Sequence, residues 1–179
     1  ANTSEVLQAL TDAGKEIIGE IEWAYRNADG KIIGITGSNG KTTTTGLCHH
    51  FLQAAGMDAA KVGNVGEGFC HFLAEHNAAW YVCELSSFQL EDVETFRPRI
   101  GILLNITPDH LDRYDYSLDK YADAKMRMMR NMTEEDTLIY NAMDPVTVAK
   151  VIGAESEERL WSIRETDLIG DDKVYVKDD

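Results

Sequence analysis

The sequence predicts an α/β fold, a mainly parallel sheet with helices on both faces, and three observations carry that reading. From residue 31 onward, short apolar runs of strand length alternate with segments whose apolar residues recur at helical spacing, the pattern of a sheet buried between two helical layers. A glycine-rich stretch, GITGSNGKTTTT at residues 34–45, joins the first run to the first long helix. Several ionisable residues then fall just after strands, at the rim where open α/β sheets bind ligands.

In chain order, residues 4–13 read as a short helix with Val6, Leu7 and Leu10 on one side, residues 16–19 as a brief strand and residues 20–27 as a second helix. Ala28-Asp29-Gly30 punctuates the pattern, so a boundary is expected near Gly30, with residues 1–28 in a different unit from the rest of the chain. KIIGI (31–35) is a buried strand, and the helix after it places Thr44, Leu47, Cys48, Phe51, Leu52 and Ala55 on one stripe, with His49 and His50 on its polar face. Next come a strand at 59–62, a helix at 69–75, the strand AWYVCEL (79–85) and a short helical stretch at 89–95. The strand IGILLNI (100–106), a helix at 118–132, the strand TLIY (137–140), a helix at 145–152 and the strand LWSI (160–163) complete the alternation. The acidic tail after Asp171, with Val174 and Val176, reads as the opening of a hairpin.

Size and charge bound the function. A chain of 179 residues, 44% apolar, can bury one good core. A net charge of −14 repels polyanions from most of the surface, so nucleic acid is not an expected partner. Cys48, Cys70 and Cys83 form no CxxC pair and read as reduced core thiols of a cytoplasmic protein. No apolar run reaches membrane-spanning length, and the start ANTSEVLQAL lacks a basic region followed by an apolar block. A cytoplasmic monomer without membrane partners is the expectation.

The glycine-rich stretch has the chemistry of a phosphate cradle. At a strand-to-helix junction the unpaired N–H groups and the positive end of the helix dipole favour an anion, and glycines let the backbone approach it. Gly37, Ser38, Asn39, Gly40, Lys41, Thr42 and Thr43 form the expected nucleotide-binding set, with Lys41 a mobile charge on the phosphates and Thr42 a hydroxyl for Mg²⁺. The pattern is a variant of the Walker loop, because Ile35 stands where a glycine six places before the lysine is usual. ATP or GTP is the expected ligand.

Three further positions stand out. The strand through Trp80 to Cys83 ends in Glu84, where a carboxylate commonly holds the cation beside the phosphates, although taken alone it could be an ordinary exposed acid. TPDHLDR places Asp109 and His110 beyond the strand 100–106, on the same rim as Glu84 and the loop. Lys125 falls in the centre of an apolar helical stripe made by Leu118, Tyr121, Ala122, Met128, Met129 and Met132. An ammonium there snorkels to water, loses its proton, or is converted to a carbamate by CO₂ and becomes an oxygen ligand.

Taken together, GEIEWAYR (19–26), GITGSNGKTTT (34–44), GNVG (63–66), ELSSFQLE (84–91), LNITPDHLDR (104–113) and YADAK (121–125) resemble the Mur ligases of peptidoglycan synthesis over nearly the whole chain. ELSSFQLE is the most discriminating block and points to the branch that adds D-glutamate. The resemblance implies a P-loop NTPase-like central domain with ATP and two Mg²⁺ sites. It implies catalytic roles for Lys41, Glu84, His110 and Lys125, metal contacts from Thr42, Glu84, His110 and a carbamylated Lys125, and substrate contacts from Asn64, Ser86 and His110. The implied reaction phosphorylates the L-alanine carboxylate of UDP-N-acetylmuramoyl-L-alanine, and the amine of D-glutamate then attacks the acyl phosphate. On the same resemblance, residues 1–28 are the end of a UDP-binding domain, residues 29–179 an incomplete ATP-binding domain, and the C-terminal domain is absent, so the chain alone is expected to be inactive. Two other readings stay open, a kinase-like P-loop enzyme and a non-catalytic nucleotide-binding module. The sequence has no NKxD signature of a GTPase.

Overall fold

A computed structural model describes residues 4–153 and 159–163 of the chain. The hairpin expected around Val174 and Val176 lies outside the described residues. Six strands, β1 (Lys31–Thr36), β2 (Ala59–Gly63), β3 (Trp80–Glu84), β4 (Ile100–Leu103), β5 (Thr137–Asn141) and β6 (Arg159–Ile163), form one sheet in the order β2-β3-β1-β4-β5-β6. Every neighbouring pair is parallel. β1 is buried from its second residue to its last, as a central strand covered on both faces must be. Its Ile35 lies opposite Glu84 of β3 on one side and Ile102 of β4 on the other. The chain runs outward to β2, returns at β3 and crosses to β4, so the loop after β1 occupies the topological switch point.

The helices are α1 (Glu5–Asp12), α2 (Glu20–Asn27), α3 (Lys41–Ala54), α4 (Phe69–Glu75), α5 (Ser87–Glu91), α6 (Leu118–Met126) and α7 (Pro145–Gly153). Alternate residues of β1 face opposite layers. Ile33 and Ile35 meet Cys48 and Leu52 of α3, while Ile32 joins the larger core with Tyr81, Phe96, Tyr121 and Met128.

Several local expectations need correction. Residues 16–19 form no strand. Gly19 is extended (φ −73°, ψ 163°) but serves as N-cap of α2, and the segment has no ladder partner among the described residues. The apolar side of α1 is unburied, with Val6, Leu7 and Leu10 all exposed. On α3 the stripe is rotated: Leu47 and Phe51 face solvent, whereas Thr45 is buried and half-buried Cys48 and Leu52 meet the sheet. His49 is half-buried too, its Nε2 lying 3.1 Å from the Ala59 carbonyl oxygen. α5 begins earlier than expected because Ser86 and Gln89 form a reciprocal capping box. α6 is shorter and gives way to a 3-10 turn at Arg127–Met129.

Across the boundary expected at Gly30, α2 packs against α4 and α5. Ile21, Glu22 and Ala24 of α2 are buried. The Glu22 carboxylate accepts from the backbone N–H groups of Glu94, Thr95 and Phe96, from the Thr95 hydroxyl at 2.5 Å and from Arg26 Nε at 2.8 Å. Gly30 is required for a close approach: a Cβ there would lie 2.1 Å from the Ala78 carbonyl oxygen.

Candidate active site

The phosphate loop is held open by its own glycines and by the end of β4. Gly37 (φ 152°) and Gly40 (φ 84°) take conformations that side chains rarely adopt, and Gly40 caps α3 in the left-handed region. Ser38 N donates to the Asn105 carbonyl and Asn39 N to Asn105 Oδ1, both at 2.9 Å, while Asn105 Nδ2 returns a bond to the Asn39 carbonyl. Ser38 Oγ donates to the Thr107 carbonyl and accepts from Thr107 N, each at 2.9 Å. This pinning explains why β4 stops at Leu103 although its apolar run continues to Ile106. Thr44 N is the first amide of α3 to reach a carbonyl four residues back, at 3.0 Å from Gly40 O, so the amides of Lys41, Thr42 and Thr43 are the orphan donors that favour an anion. Thr42 and Thr43 are exposed.

Glu84 sits at the carboxyl end of β3, 2% exposed. Asn64 is bound to it twice, donating from Nδ2 to Oε1 and from its backbone N to the Glu84 carbonyl, both at 2.9 Å. Glu84 Oε2 is buried and has no hydrogen-bond partner among the described residues. A buried carboxylate oxygen without a partner costs about 1–3 kcal/mol or more, and a hard cation accepting that oxygen as ligand would remove the cost. The residue therefore fits the Mg²⁺ role expected of it. Among the described residues no three His, Cys, Asp or Glu side chains converge into a complete site.

Lys125 does not snorkel. It is 1% exposed, donates from Nζ to the Gly37 carbonyl at 2.9 Å, and lies 4.4 Å from the centre of the Tyr121 ring. Burial first, then the positive charge of Lys41, lower its pKa to about 7, with Asp109 opposing the shift. Lys41 folds back over the loop, donating to the carbonyls of Gly37 at 2.9 Å and Ser38 at 3.0 Å. His110 adopts φ 48°, is largely exposed, and packs its ring 5.2 Å from that of Phe88.

A cavity of about 140 Å³ brings Lys41, Asn64, Ser86, His110 and Lys125 onto one wall with Ser87, Phe88, Asp109 and Tyr121. Glu84 joins this group through Asn64, whereas Thr42 stands at the exposed start of α3. On the other side of the loop a larger cavity, about 400 Å³, is walled mainly by apolar groups of Ile102, Leu104, Ile139 and Met143, with Asn39, Asn105 and Asn141 at its polar edge. Sequence reasoning misses Asn105 and Thr107, which position the loop, and sees Tyr121 only as part of a stripe, although its hydroxyl lies 3.3 Å from Ser38 Oγ. Their roles come from contacts between distant segments, for which no local pattern exists. None of the described helices is long and apolar enough to cross a membrane.

Comparison with known proteins gives a consistent result. The Mur ligase middle domain family matches residues 35–177. The chain is 50% identical over 135 residues to the UDP-N-acetylmuramoylalanine–D-glutamate ligase of Christiangramia forsetii, covering 75% of this chain and 30% of that protein. It is 42% identical over 178 residues to the ligase of the same name from Koribacter versatilis, covering 96% of this chain and 39% of that one. The chain thus spans about a third of the length of the curated relatives it matches. Among solved structures, the MurF ligase of Thermotoga maritima in complex with ADP superposes with a TM-score of 0.61 at 19% identity, over 79% of this chain and 35% of that one, a likeness of fold.

Proposed function

Because the chain belongs to the Mur ligase family, matching its middle domain, we propose that it is the nucleotide-binding part of a longer, cytoplasmic, monomeric enzyme that adds D-glutamate to UDP-N-acetylmuramoyl-L-alanine at the expense of ATP. The orphan amides at the start of α3 and the Lys41 ammonium bind the phosphates, and the larger cavity beside the loop takes the base. Ser86 and Asn64 face the cavity that receives the carboxyl end of the muramoyl substrate, with His110 at its rim. Thr42, Glu84, His110 and a carbamylated Lys125 would hold Mg²⁺. When bound, the metal offsets the repulsion between a carboxylate and a triphosphate and so permits phosphorylation of the L-alanine carboxylate. Lys125 becomes a carbamate when its neutral amine adds CO₂ and releases one proton. Its lowered pKa supports that step by keeping part of the amine unprotonated at neutral pH.

The observation that carries the reading is the buried Oε2 of Glu84, which has no partner among the described residues and is placed level with Ile35, two residues before Gly37. Calorimetry of the intact protein with ATP and Mg²⁺, and with ATP alone, tests it. Metal-dependent tightening is expected in the wild type and should be absent in Glu84→Gln. D-glutamate-dependent phosphate release with the muramoyl substrate tests the ligase activity, and metal-independent ATP binding with no such turnover would overturn the assignment.

A further inference from the structure

The segment carrying His110 has the least relaxed backbone in the described chain. Its non-glycine residues at left-handed φ are His110 (48°), Asp115 (53°) and Tyr116 (57°), all between residues 110 and 116. Each such conformation costs on the order of 1–3 kcal/mol and persists only where the surroundings over-determine it. The Asp115–Lys120 pair cannot supply that constraint, because both side chains are well exposed and such pairs contribute little.

Glu91, the last residue of α5, can. Its Oε1 accepts from the Tyr114 hydroxyl at 2.5 Å and from Arg113 Nε at 3.2 Å, and its Oε2 accepts from Arg113 Nη2 at 2.8 Å. Arg113 and Tyr114 end the 3-10 turn Leu111–Tyr114, which starts at His110, with Arg113 N donating to the His110 carbonyl at 3.1 Å. The Arg113 guanidinium lies 4.6 Å from the centre of the Phe88 ring, the same ring on which the His110 imidazole rests. Tyr114 is buried and meets Tyr121 edge to face at 5.3 Å, one helical turn before Lys125. Glu91 lines neither cavity, so whatever it contributes passes through this turn.

We infer that Glu91 is a positioning residue: its forked grip on Arg113 and Tyr114 fixes the turn that aims the His110 imidazole over the cavity, with Phe88 as the surface against which the ring is set. The inference rests on the proposed ligase reading for its kinetic consequence, but not for its structural one. In the intact enzyme, Glu91→Ala should lower kcat for ligation by about 10- to 100-fold, the usual effect of losing an outer-shell contact or misplacing a reacting group. Glu91→Gln, which still accepts from Tyr114, should fall between that variant and the wild type. KM for ATP should stay within about twofold, since the loop and its Asn105 contacts are untouched. Independently of turnover, the ring resonances of ¹³C-labelled His110 should shift or broaden in both variants. If Glu91→Ala does not fold, Arg113→Ala removes two of the three bonds of the grip and Tyr114→Phe the third, and both carry the same expectations. Unchanged kcat and an unchanged His110 resonance would overturn the inference. If the wild type does not ligate at all, the ligase reading fails and the His110 resonance alone decides the role of Glu91.

Discussion

Lys41 and Lys125 donate to the same oxygen, the carbonyl of Gly37, each at 2.9 Å. Two ammonium groups on one acceptor repel, and they differ in what they can do about it. Lys41 is on the first turn of α3 and can swing outward to a phosphate, whereas Lys125 is enclosed and yields its proton more readily instead.

Replacing Lys125 by methionine keeps the volume and removes the charge. An ammonium taken out of water without an opposite charge is costly, and the Gly37 carbonyl keeps its bond from Lys41, so Lys125→Met should unfold at higher urea concentration than the wild type while ligation in the intact enzyme falls below detection. A variant that is both less stable and still active would mean that the ammonium is a structural strut.

Lys41→Ala removes a mobile charge and its bonds to the Gly37 and Ser38 carbonyls, but leaves the Asn105 contacts that hold the loop. Loss of one charge-assisted hydrogen bond is worth roughly 1.5–3 kcal/mol, which corresponds to ATP binding weaker by about 10- to 100-fold in calorimetry. Melting temperature without nucleotide should barely change. Equal ATP affinity would remove Lys41 from the phosphate site.

Glu22 links pH to stability. Burial alone would raise its pKa, but bonds from the Thr95 side chain, the Glu94 amide and Arg26 outweigh it and hold the carboxyl at about 2, below its ordinary 4.5. The folded value is the lower one, so its contribution is complete above pH 4.5 and is lost as pH falls toward 2. Glu22→Gln should cost on the order of 2–3 kcal/mol at pH 7 and flatten the acid limb of the stability profile. A variant with the same acid limb as the wild type would show that other carboxylates govern it.

Gly63 ends β2 with φ 98°, and a Cβ there would come 2.4 Å from the Glu84 carbonyl oxygen. Gly63→Ala combines backbone strain with a clash against a neighbouring strand, so a loss of about 2–4 kcal/mol is expected. Metal-dependent ATP binding should suffer beyond the loss of stability, because the strand that must move carries Glu84. Urea unfolding and calorimetry on the same preparation separate the two effects.

The strands are largely legible in the sequence, for physical reasons that also mark the limit. KIIGI and AWYVCEL announce buried strands because both faces are covered, and Lys125 announces itself because a charge in an apolar stripe demands an explanation. Residues 16–19 mislead because apolar character does not supply a ladder partner. Leu47 and Phe51 mislead because helical spacing fixes a stripe but not which stripe meets the sheet. The cap at Ser86 is readable as S-x-x-Q, but it lies inside the longer ELSSFQLE block, which hides the helix start. Asn105, Thr107 and Glu91 act across the fold, on segments whose adjacency exists only once the sheet has formed.

The placement of β1 between β3 and β4 also sets a schedule for biosynthesis. β1 is made first, yet both of its neighbours come from later in the chain, as does Asn105, which holds the loop. Until the ribosome has translated β3 this buried strand has no ladder, and until it has passed Asn105 the glycine loop has no fixed shape. Pairings of this separation are slow to form and leave sticky intermediates exposed. Nucleotide cannot rescue the nascent chain during that interval, because the cradle it would recognise is completed only after β1 has already emerged.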